Sequence, residues 1–417
     1  MVSLDDALAH VLERCEALPP VTVPAAAAPG LVLADDVVAA EAIPPFANTA
    51  MDGYAVRAAD VAGAPVTLPV VAEVAAGHPA DRALGPGEAM RIFTGAPIPD
   101  GADAVVMVER TERLDDGRAV RVGVAVDPGT HLRAAGEDLK PGERVLSAGD
   151  EVTPARVGVL ASLGVAEVRA HPRPRVGVLS TGDELVVGPA PLQPGQIRDS
   201  NRPTLLALVA EAGFTPVDLG HIVDDEDAIR ATIERGVATC DAVMSSGGVS
   251  MGDIDLVRVV LDRIGDMRWM QVDIRPARPL AFGLVSAPDG RRVPVFGLPG
   301  NPVSSMVSFV LFARAGLRRM AGHPPERVHV PRFRAVAAEP LTRRPDGKIH
   351  FVRVQVTAAG GDDGGLAVRS SGGQGSHQLG AMARADGLVV LPDGDGAAAG
   401  DPVDLLLLGE PLSAESP

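Results

Sequence analysis

The spacing of apolar and polar positions changes several times along this chain, and each change marks an element. Leu4, Leu8, Val11, Leu12, Cys15 and Leu18 recur at helical spacing behind Ser3, with Asp6 three residues on, a capping box that opens a first helix. Pro19 and Pro20 end it. From Pro44 the rhythm shortens: β-like runs at 66–74, 89–93, 104–108 and 119–126, broken by Gly and Pro, predict a small all-β unit of roughly ninety residues. A second helix follows, with Thr153 as N-cap, Pro154 in its first turn and Gly164 past its end. In this reading it pairs with the first helix, so the β unit is inserted into a helical domain.

Beyond residue 172 strands and helices alternate. Strands are expected at 175–179, 215–219, 241–244, 281–284 and 293–296. Helices are expected at 203–212, capped by Asn201, after Asp224 and Asp225, through Val257, Val260 and Leu261, and over 304–320. That alternation predicts a mostly parallel, doubly wound sheet with its ligands at the strand C-terminal ends. From about residue 325 the runs are β-like again (328–336, 348–356, 365–370, 388–391, 402–408), which predicts a small C-terminal barrel. The expected domains are 1–45 with 136–172, then 46–135, 173–324 and 325–417.

Four strand-to-helix turns carry candidate chemistry: 180–184 (STGDE), Asp224 with Asp225, 245–255 (SSGGVSMGDID) and 297–304 (GLPGNPVS). By the switch-point rule several should meet in one crevice. In the third, glycines let the backbone approach a ligand, and successive N–H groups favour an anion. Ser250 adds a hydroxyl, and Asp253 and Asp255 add carboxylates able to hold a hard cation. The alternative is a plain turn whose acidic residues complement the helix dipole. Between the last two turns lies RPARP (275–279), two guanidinium groups stiffened by prolines.

Composition narrows the function classes. The net charge of −16, with 3% aromatic residues, excludes a nucleic-acid surface of the usual basic, stacking kind. No apolar run has the length of a membrane span, and Cys15 and Cys240, far apart in sequence, suit a reducing, cytoplasmic setting. Of the 38 basic residues only Lys140 and Lys348 are lysines, a skew that looks like GC-rich coding.

TAMDGYAV, RIFTGAP, RAAGEDL, STGDEL, GGVSMGD and LPGNPVS occur here in this order, and with them the chain resembles the molybdopterin molybdenumtransferase family, the insertases that complete molybdenum cofactor. The resemblance runs from the first helix to QGSH (374–377). It implies an elongated helical domain with an inserted β domain, a pterin-binding α/β domain and a C-terminal barrel, assembled as a homodimer with the site shared between chains. The implied reaction takes adenylylated molybdopterin and molybdate to molybdenum cofactor and AMP, with Mg²⁺. Transient contacts with the adenylyltransferase and with apo-molybdoenzymes are further implications.

By the same resemblance, Asp52, Thr94, Asp138, Glu184, Ser250 and Asp255 are the catalytic set, and Asp224, Asp255 and Glu184 hold the metal. Ser180, Thr181, Gly182, Asp183, Asn201, Gly247, Gly248, Pro299, Gly300, Asn301 and Pro302 match the pterin and phosphate side. Arg275, Arg278, Ser304, Arg353 and Ser376 match the molybdate pocket. Cations are needed there: two dianions about 5 Å apart repel by roughly 13 kcal/mol at an effective dielectric near 20. This chain departs from the family at that pocket, with Arg275 and Arg278 where lysines are usual, Ala277 where glycine is usual, and Gln271 where a lysine is common. A planar fork and a point charge bind oxyanions differently, and alanine would strain the loop if the backbone there had positive φ. A pterin-binding or scaffolding relative without catalysis, and an insertase tuned to tungstate, are the alternative readings. His377 either lines the site or only orders its loop, and His221, Tyr54 and Trp269 are read as packing residues.

Overall fold

The computed structural model describes residues 1–248, 256–359 and 365–409. Ser250, Asp253 and Asp255 lie outside the described residues. The chain forms two compact units, one of Met1–Thr22, Gly30–Ala34 and Arg169–Pro417, the other of Val23–Pro29 and Asp35–Val168.

Helix α1 (Leu4–Arg14) begins as its cap predicts, with the Asp6 N–H donating to Ser3 Oγ at 3.0 Å. Leu4, Ala7 and Val11, with Cys15, join Val176, Phe282, Phe296 and Leu317 in the core of the first unit. Gly316 allows the close approach: a Cβ there would stand 2.9 Å from Cys15 Sγ and 3.1 Å from Phe296. An apolar stripe goes where the larger apolar surface is, since each fully buried side chain contributes about 1.5–3 kcal/mol. Burial also pushes the Cys15 thiol up to about 12, so it is inert packing.

The second unit holds a six-stranded sheet of β1 (Gly53–Val56), β2 (Val66–Val74), β3 (Ala89–Ile92), β4 (Ala104–Met107), β5 (Thr111–Leu114) and β6 (Ala119–Val122), in the order β4-β1-β3-β2-β6-β5. Helix α2 (Pro154–Ser162) follows, with Thr153 Oγ1 accepting from the Arg156 N–H at 3.4 Å.

In the first unit, β7 (Arg175–Thr181), α3 (Asn201–Glu211), β8 (Thr215–Ile222), α4 (Glu226–Thr239), β9 (Ala242–Ser246) and α5 (Leu256–Ile264) alternate as the pattern predicts. Next come β10 (Gly265–Gln271), β11 (Ile274–Arg275), β12 (Pro279–Ser286) and β13 (Arg292–Leu298). The sheet order is β8-β7-β9-β13-β12-β10; β8, β7, β9 and β13 are parallel, β12 pairs antiparallel with β13, and β10 pairs antiparallel with β12. A long helix then runs from Pro302–Ser308 through a π-helical turn, Phe309–Ala313, to Arg314–Met320. The remaining strands, β14 (Arg332–Ala337), β15 (Ile349–Ala358), β16 (Leu366–Ser370), β17 (Gly387–Leu391) and β18 (Pro402–Leu407), pair in the order β15-β16-β14-β18-β17 and close through β15–β17. The closed five-stranded barrel buries Val354, Val356, Val368, Val389 and Leu405. No helix among the described residues is long and apolar enough to cross a membrane.

Candidate functional site

The strands β7, β9 and β13 end side by side, and their turns meet. A Cβ on Gly247 would lie 3.7 Å from the Thr181 carbonyl, and one on Gly300 would lie 3.8 Å from the Gly247 Cα. Gly247 donates its N–H to the Leu298 carbonyl at 3.0 Å. Gly247 and Gly248 both have positive φ, +92° and +75°, and a side chain on Gly248 would collide with Val257. The backbone angles at both positions, and Val257 at the second, are what call for glycine here. Asn201 does not cap α3; its Nδ2 donates to the Gly300 carbonyl at 2.7 Å, tying that helix to the LPGNP turn. Asp199 takes the capping role, accepting from the Arg202 N–H at 3.1 Å.

Ser180 is fully buried, and its hydroxyl donates to Asp199 Oδ2 at 2.7 Å, while Asp199 is also held by Arg202 Nε at 3.1 Å. The hydroxyl is therefore committed to the scaffold beneath the turn. Thr181 is 8% exposed and Gly182 buried, leaving Asp183 and Glu184 in solvent. Asp183 Oδ1 accepts the Asp224 N–H at 3.0 Å, and His221 Nε2 meets the Gly182 carbonyl at 2.8 Å, so the first and second turns are joined. Glu184 and the exposed Asp224 thus stand on linked turns, while Asp225 caps α4 through the Ala228 N–H at 2.8 Å. No group of three potential metal ligands occurs among the described residues. Two carboxylates are nonetheless a donor set that suits Mg²⁺, which takes one or two carboxylates alongside substrate phosphates.

Beside these turns is a cavity of about 340 Å³ lined by Arg275, Ala277, Arg278, Asn301, Ser304, Asp346, Lys348, Gln374 and Ser376, among others. It opens on the N-terminus of the long helix, where Asn301 precedes Pro302, a position that favours an anion. Arg275 and Arg278 are exposed and have no carboxylate partner among the described residues. Ala277 has φ +77° and is 2% exposed, so the strain foreseen for alanine in this loop is present. The Val303 N–H donates to the Ser376 carbonyl at 3.1 Å, fastening QGSH to the helix start.

Arg353 stands outside the cavity lining, behind Gln374: Gln374 Oε1 accepts from the Arg353 N–H at 2.9 Å, and Gln374 Nε2 donates to the Arg353 carbonyl at 3.1 Å. The Arg353 guanidinium is 1% exposed and donates through Nη2 to the Gly373 carbonyl at 2.5 Å. Its Nε and Nη1 have no partner among the described residues. His377 is exposed, and the loop is ordered by the glutamines, Gln378 Oε1 accepting from the Gly375 N–H at 2.6 Å.

In the other unit, Asp52 Oδ1 accepts from both the Thr94 N–H and the Thr94 hydroxyl, each at 2.7 Å. The backbone bond, then the hydroxyl bond, hold the Asp52 carboxyl below the usual range. The Arg91 guanidinium lies 5.0 Å from the Tyr54 ring centroid and 5.2 Å from that of Phe93. Asp138 is exposed, on a turn stitched to the chain ahead of the Asp52 loop by its N–H to the Ile43 carbonyl at 3.0 Å.

The sequence reading missed Asp346, Lys348 and Gln374 as cavity residues. Lys348 carried a signal, as one of two lysines among 38 basic residues. Gln374 carried one as well, as the first residue of QGSH, whereas Asp346 had none, because only the fold brings the start of β15 to RPARP.

Comparison with known proteins agrees with this geometry. Residues 2–164 match the MoeA N-terminal region (domain I and II), 177–319 a probable molybdopterin binding domain, and 334–408 the MoeA C-terminal region (domain IV). The chain is 41% identical over 394 residues to molybdopterin molybdenumtransferase 2 of Mycobacterium tuberculosis, covering 92% of this chain and 93% of that protein. It is 35% identical to the molybdopterin molybdenumtransferase of Haemophilus influenzae, over 90% of each chain. A crystal structure of the molybdopterin biosynthesis MoeA protein from Pyrococcus horikoshii OT3 superposes with a TM-score of 0.80 at 30% identity, covering 98% of this chain and 100% of that one. The chain belongs to the molybdopterin molybdenumtransferase family.

Proposed function

We propose that this protein inserts molybdate into adenylylated molybdopterin, releasing AMP and giving molybdenum cofactor. The observation that carries the reading is the juxtaposition of two exposed guanidinium groups, without carboxylate partners among the described residues, at a helix N-terminus with three glycine turns that meet at the ends of parallel strands. Arg275 and Arg278, with Ser304 and Ser376, hold the oxyanion. Thr181, Gly247, Gly248 and Gly300 give the pterin and its phosphates a close backbone surface. Glu184 and Asp224, with Asp255 of the third turn, would hold Mg²⁺, which when bound offsets phosphate charge. The family names support the transfer of molybdenum to molybdopterin; the adenylyl group, the cation and a homodimer in which Asp52 and Thr94 act from a second copy are parts of the proposal. Contacts with the adenylyltransferase and with recipient apo-enzymes belong to it as well.

Single-turnover release of AMP from adenylylated molybdopterin with Mg²⁺, titrated with molybdate and separately with tungstate, tests it. Release that depends on low molybdate is the expected result. Tight binding of the adenylylated pterin with no oxyanion-dependent release would overturn it and leave a pterin-binding relative.

A further inference from the structure

Asp346 is a carboxylate in the wall of a cavity otherwise built for an anion. It accepts from Arg343 Nη2 at 2.8 Å, from His350 Nε2 at 3.1 Å and from Lys348 Nζ at 3.2 Å. Arg343, 2% exposed, is fixed by Asp393 at 2.7 Å and by the carbonyls of Lys348 and Pro392 at 2.7 and 2.9 Å. It cannot leave. Asp346 therefore keeps its bonds to Arg343, shared with Asp393, and to His350 when the Lys348 ammonium turns away.

Lys348 is built to move where Arg343 is not. Its contacts are both to Asp346, the carboxylate and the carbonyl at 3.4 Å, and its side chain is 21% exposed on a flexible stem. It lines the same cavity as Arg275, Arg278, Ser304 and Ser376. Gln271 and the two arginines leave the RPARP side without an ammonium, and Lys348 is the one lysine in the cavity wall. A compact ammonium with three donors can turn to a tetrahedral oxyanion from a direction that a planar fork does not reach.

We propose that Lys348 is a further oxyanion-binding residue of this site, paired with Asp346 and exchanged onto the anion when it binds. Asp346 then competes with the anion for the ammonium. Affinity for the oxyanion is set by the difference between the two pairings, which makes the pair opposed in effect: removing the cation weakens binding, and neutralising the carboxylate strengthens it.

The assignment deepens the insertase reading and rests on the cavity being its oxyanion site. Equilibrium dialysis of molybdate against the full chain, with the wild type, Lys348→Gln, Lys348→Arg and Asp346→Asn, separates the two. Lys348→Gln is expected to raise the dissociation constant about 10- to 100-fold, the effect of one charged hydrogen-bonding partner, with Lys348→Arg recovering most of it. Asp346→Asn is expected to lower it. A wild-type dissociation constant unchanged in Lys348→Gln overturns the role of Lys348 while leaving the insertase reading intact. Losses in the same direction for Lys348→Gln and Asp346→Asn also overturn it, since they mark a merely structural pair. Absence of wild-type binding overturns both the assignment and the cavity as an oxyanion site. Should Asp346→Asn unfold for want of its bond to Arg343, the Gln and Arg variants still decide the matter.

Discussion

Two arginines of the barrel region, ten residues apart, are equally buried and differently held. Arg343 meets Asp346 and Asp393 and the carbonyls of Lys348, Leu391 and Pro392, leaving only Nε without a partner among the described residues. Arg353 meets one carbonyl, that of Gly373, and two of its nitrogens are unmet. Burial presses the Arg353 guanidinium toward losing its proton, yet a group with an intrinsic value above 12 keeps it. The first arginine locks the turn ahead of β15 to the barrel. The second is a buried charge behind the cavity of Arg275 and Arg278, met by one carbonyl and held at some cost to the fold.

Replacement of Arg343 by Met strikes the locked side of the contrast and has the larger expected effect on stability of the two. It removes a partner of Asp346 and Asp393 and the donor to the carbonyls of Lys348, Leu391 and Pro392, and should lower stability by about 1–3 kcal/mol in denaturant titration; a loss no larger than that of Arg353→Met would break the contrast.

His323 shows what burial does to a base that can shed its proton. It is 7% exposed, and burial, then the neighbouring arginines, bring it down to about 4 from 6.5. Between those values the unfolded chain binds a proton that the folded chain does not. Stability should therefore fall as pH drops from about 6.5 to about 4, by about 3 kcal/mol, and a His323→Leu variant should lose that component of the pH profile.

Arg275→Ala with Arg278→Ala removes the exposed cations of the cavity. Oxyanion-dependent AMP release should drop on the order of 10²-fold or more, with stability little changed because neither side chain is buried.

Arg353→Met sharpens the comparison most. Stability should stay within about 1 kcal/mol of wild type, because a buried charge without a carboxylate exchanges for an apolar side chain at little cost. The molybdate needed for half-maximal release should rise about tenfold. A stability loss like that of Arg343→Met, with release unaffected, would make the two arginines alike.

Ala277→Gly is the smallest step. Relief of φ +77° contributes about 1–2 kcal/mol, offset by about 0.4–1 kcal/mol of added unfolded-state entropy, for a net gain of up to about 1 kcal/mol in denaturant titration.

Much of this architecture was readable before any coordinates. Period-2 runs, glycine turns and the caps at Ser3 and Thr153 place most strands and helices within a few residues of where they lie. What the pattern could not supply was partnership. The stripe of α1 reads as apolar, but nothing local says that its partners are Phe282, Phe296 and the long helix at Gly316 and Leu317. Strand β10 hid in GDMRWMQ, whose half-buried antiparallel face follows a helix without a turn signal. Asn201 looked like a cap because Asn favours that place, whereas Asp199 is closer to the free N–H and frees Asn201 for Gly300. Arg275, Arg278, Ser304 and Ser376 were legible through motifs and do meet around one cavity. Asp346 was not, and Lys348 stood out only as a rare lysine, because they sit on a barrel strand's approach whose neighbours are distant in sequence.

Anomalous scattering at the molybdenum edge, from crystals of the full chain grown with molybdate, tests the central claim most directly. The account predicts one strong peak within hydrogen-bonding distance of Arg275, Arg278, Ser304 and Ser376. A peak bound elsewhere, with this cavity holding none, would contradict it.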